Sequence, residues 1–78
     1  MNKVKLLGPF EKLQPNKDDG GFWLVEGEGQ AVADILNKVS IAKEMYGYII
    51  LVNGVRVKEN YILSKGDKVL IKPSITGG

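Results

Sequence analysis

The residues best placed to do chemistry stand at the end of the chain, where Lys72-Pro73-Ser74-Ile75-Thr76 runs into Gly77-Gly78. Two residues without side chains, ahead of a free α-carboxylate, let a narrow partner cleft close around the backbone and act on that carboxylate. A terminal carboxyl group has a pKa of about 3.5, so it is ionised at neutral pH, a weak nucleophile and a poor electrophile until something activates it. Glycine is 10 of 78 residues, so a frayed terminus that ends in two glycines by composition is the competing reading. The residues upstream must decide between the two.

Other chemistries find little support. The chain has no cysteine and no histidine, which removes disulfides, thiolate chemistry and the commonest metal ligand and general base. Gly27-Glu28-Gly29 opens like a dinucleotide-binding fingerprint, but Val32 stands where the third glycine belongs, and no Gly-Lys-Ser/Thr exists for a phosphate loop. The acidic pairs Asp18-Asp19 and Glu26/Glu28 lie in turn-rich stretches and read as solvated surface rather than a metal or acid/base site. Trp23, Tyr46, Tyr48 and Tyr61 form no basic-aromatic stripe, so packing is their default role. No catalytic residue, metal site or bound cofactor is expected in this chain. Eleven basic and nine acidic residues leave a net charge of +2 and are interspersed, which argues against a nucleic-acid or membrane partner. No apolar run approaches the roughly 20 residues of a membrane span, and Met1-Asn2-Lys3 leads into a strand-like segment rather than a signal sequence, so a cytoplasmic location is expected.

The elements that must position the tail can be read from periodicity. Lys3-Val4-Lys5-Leu6-Leu7 alternates Lys and aliphatic residues as a half-buried strand does, until Gly8-Pro9 interrupts it. From Phe10 to Gly21 a polar stretch with Pro15, Asn16, Asp18, Asp19 and Gly20 reads as a long loop. Phe22-Trp23-Leu24-Val25 is a second strand. Val32, Ile35, Leu36 and Val39 then fall at i, i+3, i+4 and i+7, a complete helical stripe, and Ser40 is placed to cap a short continuation through Ala42, Met45 and Tyr46. Tyr48 to Val52 is a run of strand formers, Asn53-Gly54 a tight hairpin turn and Val55-Arg56-Val57 the return. After the Ser64-Lys65-Gly66-Asp67 turn, Lys68 to Lys72 forms the last strand, which Pro73 is expected to stop. This order predicts an α+β fold of the ubiquitin-like β-grasp type, a mixed sheet of four to five strands with one main helix on one face. The division is a domain over residues 1–72 and a flexible tail over 73–78. The expected core is Val4, Leu6, Leu24, Val32, Ile35, Leu36, Val39, Ile50, Val52, Leu63, Val69 and Ile71.

The helix opening Val32-Ala33-Asp34-Ile35-Leu36, the hairpin Val52-Asn53-Gly54, the turn from Leu63 to Val69 and the tail from Lys72 to Gly78 resemble, in order and spacing, the ubiquitin-like sulfur-carrier family (MoaD/ThiS type). Within it the pattern is most similar to the small subunit of molybdopterin synthase. Two features depart from the family: the loop from Gly8 to Gly21 is long, and Gln30-Ala31 replaces the Ser or Thr that often caps the helix. Pro73, with Ile75 ahead of the glycines, is the feature that leans toward the molybdopterin branch.

The resemblance implies a carrier that is not an enzyme by itself. Gly78 would be adenylated at the expense of ATP and converted to a thiocarboxylate, for sulfur donation in molybdenum or tungsten cofactor biosynthesis. The implied partners are an E1-like adenylating enzyme of the MoeB/ThiF type, a sulfur donor enzyme and the larger, MoaE-type, subunit of molybdopterin synthase. Pro73, Ser74, Ile75, Thr76 and Gly77 would thread into partner channels, with Ile75 as the apolar anchor. In related carriers the sheet face away from the helix supplies an apolar patch, and Leu7, Phe10, Tyr48, Leu51 and Leu70 fall off the core alternation as its candidates. A sulfur carrier for thiamin thiazole or another pathway, a protein modifier joined through Gly78 to a lysine of another protein, and a noncovalent β-grasp binding module are the alternatives.

Overall fold

The computed structural model describes residues 1–41 and 47–74. Five strands form one mixed sheet in the order β2-β1-β5-β3-β4, with β1 at Asn2–Leu6, β2 at Trp23–Val25, β3 at Gly47–Val52, β4 at Val55–Val57 and β5 at Lys68–Ser74. β1 and β5 run parallel at its centre, and the other three pairings are antiparallel. Among the described residues one short α-helix, α1 (Val32–Asn37), covers one face through Val32, Ile35 and Leu36, which are buried with Val39, Val4, Leu6, Ile50, Val52, Val69 and Ile71. This is the expected α+β, ubiquitin-like β-grasp arrangement.

Six residues are too few to make a helix stable in water, and tertiary bonds make up the deficit. The N–H groups of Val32 and Ala33 donate to the carbonyls of Tyr61 (2.9 Å) and Glu59 (2.8 Å). The Asp34 carboxylate accepts from Ala31 N–H (3.1 Å). The missing Ser or Thr cap is therefore replaced by an incoming loop that satisfies the first-turn donors. At the far end Lys38 and Val39 close i→i−3 bonds to Ile35 and Leu36, which carries Val39 into the core two residues beyond the helix. Ser40 has φ of 56°, the left-handed conformation that ends a helical turn and not the extended one of an N-cap. Its expected continuation, with Ala42, Met45 and Tyr46, lies outside the described residues.

Three further expectations are corrected. The stretch after β1 is not all loop, because Gly8–Leu13 forms a 3-10 helix whose Phe10 is wholly buried. Leu24 is 43% exposed while Trp23 is 7% exposed; Trp23 pairs with Val4 and Leu24 with Lys3, so β2 turns its core face one residue away from the expected register. Pro73 does not stop the last strand, since β5 pairs with β3 through Tyr48↔Pro73 and Gly47↔Ser74. The Asn53-Gly54 turn forms as expected, with φ of 52° and 85°, the double positive φ of a type I′ hairpin.

A buried polar cluster joins the turns. Asn2, fully buried, donates to the Ser64 carbonyl (2.8 Å) and accepts from Gly27 N–H (3.0 Å). The Asp67 carboxylate accepts from Ser64 N–H and from the Asn53 amide, at 2.8 and 2.9 Å, and Asn53 in turn accepts from Lys68 N–H (3.0 Å). Replacing Asp67 with Ala strands two inward-facing donors, and charge-assisted bonds of this kind are each worth about 1.5 to 3 kcal/mol. Asp67→Ala is expected to lower unfolding free energy in urea by roughly 2 to 3 kcal/mol, against less than about 0.5 kcal/mol for the exposed neighbour change Lys65→Ala. Equal losses would remove the network from the account of stability.

Candidate functional site

The residues singled out in the sequence fall on two surfaces, the root of the tail and the sheet face that α1 leaves open. Of the residues expected to thread into partners, the structure places Pro73 and Ser74; Ile75, Thr76, Gly77 and the expected modification site Gly78 lie outside the described residues.

Pro73 explains how β5 leaves the sheet. Leu7 N–H donates to the Ile71 carbonyl (2.9 Å), and a continuing parallel ladder would have the N–H of residue 73 return to the Leu7 carbonyl. Proline has no such donor. The Leu7 carbonyl instead accepts from Phe10 N–H (3.2 Å) in the 3-10 helix, so β1 turns away while β5 stays paired with β3. Gly8 makes the turn at φ of 59°, and a Cβ there would meet Pro73 Cγ at 3.4 Å. The 3-10 helix is thus packed against the root of the tail, which is the structural role of the long stretch after β1.

The open face is read from the register. Lys3 stands opposite Leu24 and Lys68, Lys5 opposite Leu70, Leu70 opposite Leu51, and Leu51 opposite Arg56. Ile49 stands opposite Lys72. Leu51 and Leu70, two of the expected patch residues, therefore meet at the middle of this face, both half-buried, and Leu7 stands at the end of β1. Ile49 belongs with them but was hidden within a continuous apolar run that carries no alternation. Phe10 does not belong, because it is fully buried in the core. Neither does Tyr48, which shares the face of Ile50 and packs against the core. Its hydroxyl donates to the Glu59 carboxylate (2.8 Å), and that bond, with desolvation and the charge of Glu59, raises the phenol above its ordinary value.

The Asp18 carboxylate accepts from Phe22 and Gly20 N–H groups, at 2.9 and 2.8 Å, and the backbone bond to Phe22 is the main influence holding it below the ordinary carboxyl value. It shapes a turn, and among the described residues no group of three or more acidic side chains could hold a metal ion. Among the same residues no helix is long and apolar enough to cross a membrane.

The sheet order and the helix laid across it are those of a ubiquitin-like protein. The ThiS family model matches residues 10–78, and the chain belongs to the ThiS family. Among solved structures it is similar to SAMP1 from Haloferax volcanii, with a TM-score of 0.59 and 18% sequence identity over 99% of this chain and 98% of that one. At that identity the likeness speaks for the fold alone. No curated protein matches in sequence.

Adjacent residues of β5 test the assignment of the two faces. Ile71 has no exposure and Leu70 faces the open side, so Ile71→Ser is expected to cost more than about 3 kcal/mol and Leu70→Ser less than about 1 kcal/mol. Denaturant unfolding of both variants decides it, and similar costs would mean the faces are wrongly assigned.

Proposed function

We propose that this protein is a sulfur carrier whose C-terminal Gly78 is adenylated by an E1-like enzyme and then converted to a thiocarboxylate. The observation that carries the reading is the match of the ThiS family model through residue 78, Gly-Gly included. The chemistry follows from the tail. The carboxylate displaces pyrophosphate from ATP on the partner enzyme, and sulfur from a donor replaces the adenylate, leaving one carboxyl oxygen exchanged for sulfur. ATP is held by the partner and this chain supplies the reacting carboxylate. Glycine at 77 and 78 keeps the arm narrow in each enzyme it visits.

Within the family we place the protein in the dithiolene-forming, molybdopterin branch, as the small partner of a MoaE-type subunit. Pro73 and Ile75 ahead of the glycines support that placement, and the apolar centre formed by Ile49, Leu51 and Leu70 suits a protein partner. Recovery of thiazole-forming proteins alone in a pull-down, with no synthase subunit, would move it to the thiamin branch. We place it in the cytoplasm, where an ATP-dependent activating enzyme works.

Intact mass tests the central claim. Incubation with an E1-like enzyme, ATP and a sulfur source is expected to add about 16 Da at Gly78, as its terminal carboxylate, ionised above a pKa of about 3.5, exchanges one oxygen for sulfur. An unchanged mass, under conditions where a known carrier reacts, would sink the carrier reading, and lysine-linked conjugates in its place would make the protein a modifier.

Deletion of Gly78, or addition of one residue after it, displaces the carboxylate by about 3.5 Å, while attack requires reacting atoms within roughly 3 to 3.5 Å. Both variants should keep their stability within about 0.5 kcal/mol and lose sulfur transfer, and Gly77→Ala should fold normally but be activated poorly. Full complementation of a carrier-deficient cell by the uncleaved extension would favour a noncovalent binding module.

A further inference from the structure

The open face carries a charge pattern that the tail chemistry does not use. Every charged side chain on its strand positions is a cation: Lys3 and Lys5 on β1, Lys68 and Lys72 on β5, and Arg56 on β4. Three of them converge on one aromatic ring, with the ammonium groups of Lys5, Lys68 and Lys3 at 4.7, 5.4 and 5.6 Å from the centroid of Phe22. Gly21, at φ of 86°, leaves room for the Lys5 stem, which would lie 3.1 Å from a Cβ at that position. These lysines are therefore seated on the fold, so less side-chain freedom is lost when they engage a partner.

Among the described residues none of the three is in an ion pair, and the single charge of Asp18, which Lys3 influences and which accepts from Gly20 and Phe22 N–H groups, offsets only part of their three positive charges. Three like charges around one ring repel each other, and an exposed cation–π contact offsets only part of that repulsion. An anionic surface that approached them would relieve it.

We infer that Lys3, Lys5 and Lys68 around Phe22 form an electrostatic anchor for an acidic patch on a protein partner, remote from the reacting end of the tail. Lys68 opens β5 and Ser74 closes it, a separation of about 20 Å at 3.3 Å per residue. A partner that grips both ends spans the face, and its apolar contacts fall on Leu51 and Leu70 between them. That apolar centre within a cationic rim, on a chain of net charge only +2, fits a protein surface better than the uniform phosphate lattice of a nucleic acid. An anchor so far from the carboxylate contributes to association and leaves the chemical step alone.

Two arms test the anchor, and only the second rests on the carrier reading. In the first, the full chain labelled with nitrogen-15 is titrated with a synthetic peptide of alternating Glu and Leu, with oligothymidylate of equal length in parallel. Amide shifts are expected at residues 3, 5, 22 and 68, to vanish in about 0.5 M salt and to weaken at least about tenfold in a Lys3→Glu, Lys5→Glu, Lys68→Glu variant. The three Lys→Gln changes serve if the Glu variant does not give a folded spectrum. Shifts absent from these residues, equal binding by the variant, or tighter binding of the oligonucleotide there would overturn the inference.

In the second arm the source organism's E1-like enzyme is assayed by pyrophosphate exchange. The variant is expected to raise KM for the carrier about tenfold with kcat within about twofold. An unchanged KM would overturn the anchor for that partner, whereas failure of the unaltered chain to be activated counts against the carrier reading and leaves the peptide result to decide the anchor.

Discussion

A carboxylate taken out of water must be met by hydrogen bonds on every side or it destabilises the structure that buries it. Asp67 meets that condition through Ser64 N–H and the Asn53 amide, and its location makes the condition consequential. Its backbone carbonyl accepts from Lys3 N–H (3.2 Å), and the adjacent Lys68 exchanges bonds with Asn53. One residue thus ties the start of β5 to β1 on one side and to the β3–β4 hairpin on the other. Asn2 extends the tie to Gly27 and so to the approach to α1. The registers that set the open face, Lys3 against Lys68 and Leu51 against Leu70, follow from where this cluster pins the strands.

The parts of this arrangement that were legible in the sequence are those with a local cause. Four apolar residues at helical spacing gave the face of α1, and Asn53-Gly54 gave a two-residue hairpin because both residues tolerate positive φ. The Ser64-Lys65-Gly66-Asp67 turn was legible for the same reason, with Gly66 at φ of 82°. What escaped was set by distant contacts. Trp23 and Leu24 are both apolar, so no alternation told which faced inward until Val4 supplied the partner. Phe10 sat in a polar stretch, and a six-residue 3-10 helix leaves no periodic trace. Its burial depends on a core built mainly from residues far along the chain.

Pro73 shows the same limit from the other side. A proline commonly ends a strand because it cannot donate, but a β-strand has two edges and the argument applies only to the edge that its N–H faces. Here that edge is toward β1, where the 3-10 helix has already claimed the Leu7 carbonyl, and pairing with β3 continues undisturbed. Of the candidate surface, Leu51 and Leu70 were found by their departure from the core pattern, whereas Phe10 and Tyr48 departed from it without lying on the open face. The cationic pattern was hidden because its members come from three strands.

The parallel pairing at the centre of the sheet has a consequence for synthesis. Of the described strands β1 leaves the ribosome first and β5 last, and they are neighbours. Their contacts span more than 60 positions, so closing that pairing is a late, high-entropy event. A nascent chain that has made β1, β2, α1 and the β3–β4 hairpin still holds two separate sheet fragments with a gap where β5 belongs. The core closes only once the strand that leads to the tail has been made, so a ribosome that stalls before residue 68 releases a product without a completed sheet, which quality control can recognise by its exposed apolar face.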